Sequence, residues 1–162
     1  WDLTSEKPAR IHTVEAHRGW IRSLAVNPDG KTLLSGANDG KLRLWNLSDA
    51  KPILTIEASK RDIYRAIFSP DGKQLISGDL MGGLMAWNTA DGKELAKFEG
   101  KPLHEYNGGQ QVDFGGIRAL AMTPDGKTLV AGGLHKASNP LGAVHEPLAL
   151  VFGMSDKTGK RS

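Results

Sequence analysis

The chain repeats itself, and the period constrains what it can fold into. Residues 14–46 read VEAHRGWIRSLAVNPDGKTLLSGANDGKLRLWN, and residues 56–88 read IEASKRDIYRAIFSPDGKQLISGDLMGGLMAWN. The two align without a gap: Pro28 with Pro70, Ser35 with Ser77 and Trp45 with Trp87, each pair 42 positions apart. A unit of this length cannot bury its apolar face alone, so such periods mean a solenoid, a propeller or an array. Repeat architectures present surfaces to partners and carry chemistry less often.

Each unit reads as four short strands. In the first, Ile21–Val26 is a β-rich run, and the turn Asn27-Pro28-Asp29-Gly30 follows. Proline presets φ at its turn position, aspartate suits the next, and glycine takes positive φ. The second strand is Thr32–Ser35, and Asn38-Asp39-Gly40 is another hairpin signal. The third is Lys41–Trp45, alternating Leu42 and Leu44 with Lys41 and Arg43. The fourth is about Ile53–Glu57, after the polar turn Ser48-Asp49-Ala50. Turn signals at this spacing indicate an all-β fold and leave no window for a stable helix.

The unit resembles a blade of the WD40 β-propeller family. The matching residues are Ala16-His17 where the family has Gly-His, the Pro-Asp-Gly turn, Ser35-Gly36, Asp39, and Trp45-Asn46 where it has Trp-Asp. Trp1-Asp2 looks like the end of an earlier unit, so the resemblance covers nearly the whole chain. It implies four-stranded antiparallel blades packed radially around a channel. It also implies a structural tetrad of His17, Ser35, Asp39 and Trp45. The physical logic of the tetrad stands independently. A buried indole N–H needs an acceptor, which Ser35 supplies. Ser35 donates onward to His17, and Asp39 fixes the other imidazole nitrogen. The catalytic reading of His17, Ser35 and Asp39 as a hydrolase triad is disfavoured, because the serine lies mid-strand with no nucleophile elbow.

Later units depart from the pattern. In the second, Ser59 stands at the histidine position and Met81 at the aspartate position. The expectation is that no polar network forms there and that Met81, Leu84 and Trp87 pack in its place. In the third, Ile117–Met122 matches Ile21–Val26, and Thr123-Pro124-Asp125-Gly126 is the same turn. Pro124 follows Pro70 by 54 positions against the earlier 42, so about twelve residues are added. They fall near residues 100–115, GKPLHEYNGGQQVDFG. Phe152, at the tryptophan position, implies about eleven more near residues 134–144. The first insert precedes the inner strand and the second follows its partner, so antiparallel order puts both on one face. Two long loops inside a compact domain point to function.

The inserts carry His104, Glu105, Tyr106, Gln110, Gln111, Asp113, His135, Lys136, Asn139, His145 and Glu146. Their spacing matches no metal signature, so no metal and no catalytic site is assigned. On the same face, the family resemblance marks a binding rim at Arg18, Trp20, Lys60, Asp62 and Tyr64. Aromatic and arginine residues are the commonest interaction anchors. Trp20 would serve as one unless it packs between blades. The expected partner-binding residues are therefore Arg18, Trp20, Lys60, Asp62, Tyr64, His104, Tyr106, His135 and His145, and the expected partner is a protein or peptide. No apolar run approaches a membrane span. The net charge of +3 is spread along the chain, apart from Lys157, Lys160 and Arg161 near the end, which does not suit nucleic acid. Zero cysteines rule out disulfides and thiolate metal sites and leave the compartment open.

The competing reading is an enzyme or cofactor-binding propeller. Ala90-Asp91-Gly92-Lys93 and Lys157-Thr158-Gly159-Lys160 faintly resemble the Thr-Gly-Lys turns of quinoprotein-type propellers. The docking tryptophan expected after such a turn is absent, with Phe98 after the first, so no cofactor is assigned. The chain reads as one partial propeller: 1–16 the end of a blade, 17–57 and 58–99 full blades, and 100–162 a blade with two inserted loops and no outer strand. Propellers close with roughly four to eight blades. About half a ring is expected here, completed by flanking sequence or, as the lesser alternative, by a second copy.

Overall fold

The computed structural model describes residues 4, 6–7, 9–136 and 146–154. The first sheet comprises β1 (Ile21–Val26), β2 (Thr32–Ala37), β3 (Lys41–Asn46) and β4 (Pro52–Glu57). The second comprises β5 (Ile63–Phe68), β6 (Gln74–Asp79), β7 (Gly83–Asn88) and β8 (Glu94–Glu99). Each is an antiparallel meander in chain order. A 3₁₀ turn, Lys101–Leu103, leads into the hairpin of β9 (His104–Asn107) and β10 (Val112–Gly115). The third sheet is β11 (Ile117–Met122), β12 (Thr128–His135) and β13 (Glu146–Gly153).

The Pro-Asp-Gly turns close as their chemistry demands. Gly30, Gly72 and Gly126 take φ of 69°, 70° and 70°. Asp29, Asp71 and Asp125 each accept the backbone N–H two residues on, at 2.8, 3.1 and 3.0 Å. These turns, with the β3–β4 and β7–β8 turns, lie on one face. The β2–β3 and β6–β7 turns and the hairpin lie on the other.

Two apolar layers join the three sheets. Leu34, Leu42, Leu44 and Ile56 of the first pack on Ile63, Ala66, Phe68, Leu75 and Trp87 of the second. Ile76, Leu84, Ala86 and Phe98 pack on Ile117, Leu120, Leu129, Leu150 and Phe152 of the third. The Phe98 and Phe152 rings meet edge-on with centroids 5.5 Å apart. The contact recurs at equivalent positions. A Cβ on Gly36 would lie 2.9 Å from Ile63 Cγ2, and one on Gly78 would lie 2.4 Å from Ile117 Cγ2. Each glycine leaves the space that the next sheet's isoleucine fills. Ser23 ties the inner strands directly, donating to Ala66 O at 3.0 Å and accepting from Ala66 N at 2.9 Å. On the first sheet the corresponding face is bare: Ile21, Leu24 and Val26 are 46%, 57% and 54% exposed.

Two expectations about the inserts change. The first insert is a paired β-hairpin rather than a loop. Its base is fixed by Leu103 and Phe114, both buried. The second is partly strand: β12 and β13 are lengthened to eight residues and paired out to His135 and Glu146. Residues 137–145 lie outside the described residues, as do Trp1-Asp2 and the 157–160 turn.

Candidate functional site

Within the first sheet Trp45 Nε1 donates to Ser35 Oγ at 2.9 Å. Ser35 Oγ and His17 Nε2 are 2.7 Å apart, and His17 Nδ1 and Asp39 Oδ1 are 2.9 Å apart. With neutral His17 the chain runs in one sense, each N–H or O–H donating to the next acceptor. Arg43 Nη1 closes on Asp39 Oδ2 at 3.0 Å. Asp39 also accepts Lys41 N at 3.2 Å, so it pins both the segment before β1 and the β2–β3 turn. Ser35 is buried and already accepts from the indole. The Ser35 hydroxyl and its triad-like His–Asp connection are thus engaged in the hydrogen bonds that hold the blade.

Burial raises the Asp39 carboxyl, but hydrogen bonds from Arg43 and His17 outweigh it and hold the group down to about 2. Burial pushes the His17 imidazole below its ordinary 6.5, against the pull of Asp39. An unfolded aspartate takes up its proton near 3.8. The Asp39 contribution is therefore complete above about pH 4 and is lost as the pH falls through 2, worth about 2 kcal/mol. The neutral His17 acts in the same direction, losing stability as the pH drops below 6.5. Urea unfolding at pH 7, 5 and 3 should show a stepwise decline. Asp39→Asn should remove the part below pH 4. An unchanged acid limb in that variant would mean that another group governs it.

The second sheet corrects the expectation that no polar network forms there. Trp87 Nε1 still donates to Ser77 Oγ at 2.9 Å. Asp79, two residues before Met81, takes the carboxylate role: it accepts Ser59 Oγ at 2.6 Å, Met81 N at 2.9 Å and Gly83 N at 2.7 Å. The network is split in two rather than lost. The signal was the sequence Ser77-Gly78-Asp79, with the acid displaced along the strand.

The rim residues meet on the loop-bearing face. Trp20 is 72% exposed in this open run of blades. Arg18 and Lys60 are exposed, and Asp62 and Tyr64 are half-buried. Arg22, missed in the sequence reading, lies over the Trp20 ring with Cζ 4.8 Å from its centroid. Tyr106, at 58% exposure, stands on the hairpin. His104 and His135 serve the hairpin itself. His104 Nε2 pairs with Asp113 Oδ1 at 2.8 Å, and His135 Nδ1 donates to Pro102 O at 2.7 Å. His145 lies outside the described residues. Among those residues no three His, Asp or Glu side chains gather as a metal site would require, and no helix is long and apolar enough to cross a membrane. Asp91-Gly92-Lys93 forms the β7–β8 turn on the opposite face, and Phe98 is in the core.

Four-stranded antiparallel meanders stacked through their faces are the blades of a β-propeller, here an open run with no closed ring among the described residues. The fold is similar to that of the computationally designed Ika4 protein, with TM-score 0.68 and 20% identity over 96% of this chain and 78% of that one. Residues 8–46 match the family described as WD domain, G-beta repeat. The chain therefore carries a WD40 repeat at residues 8–46, within a propeller fold. It is 43% identical over 44 residues to nuclear distribution protein nudF 2 of Penicillium rubens, which is 27% of this chain and 10% of that protein. It is 38% identical over 52 residues to small ribosomal subunit protein RACK1y of Oryza sativa subsp. japonica, 32% of this chain and 15% of that one. The chain thus spans a small fraction of the length of the curated relatives it matches.

Proposed function

We propose that this chain is a non-catalytic binding scaffold that takes a protein or peptide on its loop-bearing face. The observation that carries this reading is the concentration of contact-forming residues there. Trp20 and Tyr106 are both well exposed beside Arg18, Lys60, Asp62 and Tyr64. Large aromatics exposed next to arginines anchor interfaces out of proportion to their number. The Ser35–His17–Asp39 connection is tied to Trp45 and serves the blade. His104 and His135 hold the hairpin in place so that Tyr106 and its neighbours are presented. The bare face of Ile21, Leu24 and Val26 supports completion of the ring by further blades from flanking sequence, a second copy being the alternative.

Shortening the hairpin to a tight turn between Leu103 and Phe114, both retained, tests the reading. Thermal unfolding should stay within a few degrees of the parent, because the anchoring side chains remain. Protein retained by the immobilised parent should be lost from the shortened form. Loss of folding, or equal retention by both, would count against a binding role for this face.

A further inference from the structure

Arg22, Tyr64 and Arg118 occupy the same repeat position on the three inner strands. In each strand the register slips at this residue, between Ile21 and Ser23, Ile63 and Arg65, and Ile117 and Ala119. A bulge re-aims a side chain out of the pleat. Here the three side chains meet across the blades. Arg118 Cζ lies 4.1 Å from the Tyr64 ring centroid, and Arg22 Cζ lies 5.7 Å from the same ring and 4.8 Å from that of Trp20. The sequence Trp20, Arg22, Tyr64, Arg118 is a cation–aromatic ladder spanning three blades.

Each guanidinium is steadied but left open. Arg22 Nε donates to Asn38 Oδ1 at 3.0 Å, and Arg118 Nε donates to Gly115 O at 2.8 Å. Those acceptors belong to the β2–β3 turn and the hairpin base, so both guanidinium groups face the loop-bearing side. Both side chains are exposed, and neither forms an ion pair among the described residues. Two cations held against one ring repel each other unless an anion joins them. The aromatic contact fixes their planes while both Nη groups stay available, which suits bidentate capture of a carboxylate or phosphate.

We propose, on the reading of this face as a binding surface, that its occupant is an acidic peptide segment. A side-chain carboxylate or phosphate of that segment sits between Arg22 and Arg118, and an apolar neighbour rests on Trp20. The basic residues are spread along the chain rather than gathered into the stripe a nucleic-acid backbone follows.

Fluorescence anisotropy on the full chain tests this with four probes of equal length: an Asp/Glu-rich peptide, its phosphoserine counterpart, its Asn/Gln counterpart and an oligouridylate. Binding of the acidic or the phosphorylated peptide is expected, at least ten-fold tighter than the neutral one, and the better of the two identifies the anion. Arg22→Gln and Arg118→Gln should each weaken it about ten-fold. Tyr64→Phe should preserve it and Tyr64→Leu should not, while Lys31→Gln on the opposite face leaves it unchanged. Equal binding of the neutral peptide, tighter binding of the RNA, or indifference to both arginine substitutions would overturn the inference. Partner capture that depends on the hairpin would then still uphold the binding face. Selectivity among the probes is read on the unaltered chain, so the result does not hinge on a variant that folds.

Discussion

Replacing Trp87 by alanine should cost the chain about 3–5 kcal/mol, the range for removing a large aromatic from a packed core. Trp87 is 7% exposed and lies in the layer between the first and second blades, against residues such as Leu34 and Ile63. Its indole N–H also leaves Ser77 without a donor when removed. Trp45 is its repeat equivalent and is nearly as buried, at 8% exposure. It lines a groove with Ile21, Leu24 and the segment around Ile11 and Val14 rather than a two-sided layer. Trp45→Ala should therefore cost less, about 2 kcal/mol. Urea unfolding of both variants separates the two values. A loss below about 1 kcal/mol for Trp87→Ala would mean that the blades are not joined through this layer.

The second large effect lies at the isoleucine that opens each inner strand. Ile63 and Ile117 are 1% and 0% exposed, each seated on the glycine of the preceding blade, whereas Ile21 is 46% exposed. Ile63→Ala and Ile117→Ala should each cost about 2–5 kcal/mol, and Ile21→Ala less than about 1. The three substitutions are chemically identical and differ only in whether a neighbouring blade covers the site. A cost for Ile21→Ala as large as the others would show that its face is covered in solution, by a second copy or by another part of the protein.

Period and turn chemistry account for how much of the fold is legible in the sequence. Pro28, Pro70 and Pro124 mark the same turn three times, and the strands sit within two residues of where the alternation places them. The inserts were found by counting but misjudged in form. Asn107-Gly108-Gly109 is itself a hairpin turn signal that a reading by loop length passes over, and Leu103 and Phe114, buried at the base, fix the hairpin in place. Strict alignment looked for an acid at Met81 and passed over Asp79, because a carboxylate can reach the same turn from two residues earlier. The rim was visible through Trp20 and Tyr64. Arg22 and Arg118 were not, because a bulge that turns a strand residue outward leaves no trace in residue type. His104 and His135, expected to bind a partner, are hydrogen-bonded to Asp113 and to the Pro102 carbonyl at the hairpin.

The central claim is that partners meet this protein on its loop-bearing face. Site-specific photo-crosslinking in cells addresses it most directly, with the reactive group placed in turn at Trp20, Tyr106, Lys31 and Leu95. The first two positions are exposed on the loop-bearing face, whereas Lys31 is on the opposite face and Leu95 on an outer strand. The account predicts discrete protein adducts from Trp20 and Tyr106 and none in common from Lys31 and Leu95. Adducts confined to Lys31 or Leu95, or none that distinguish the two faces, would contradict it.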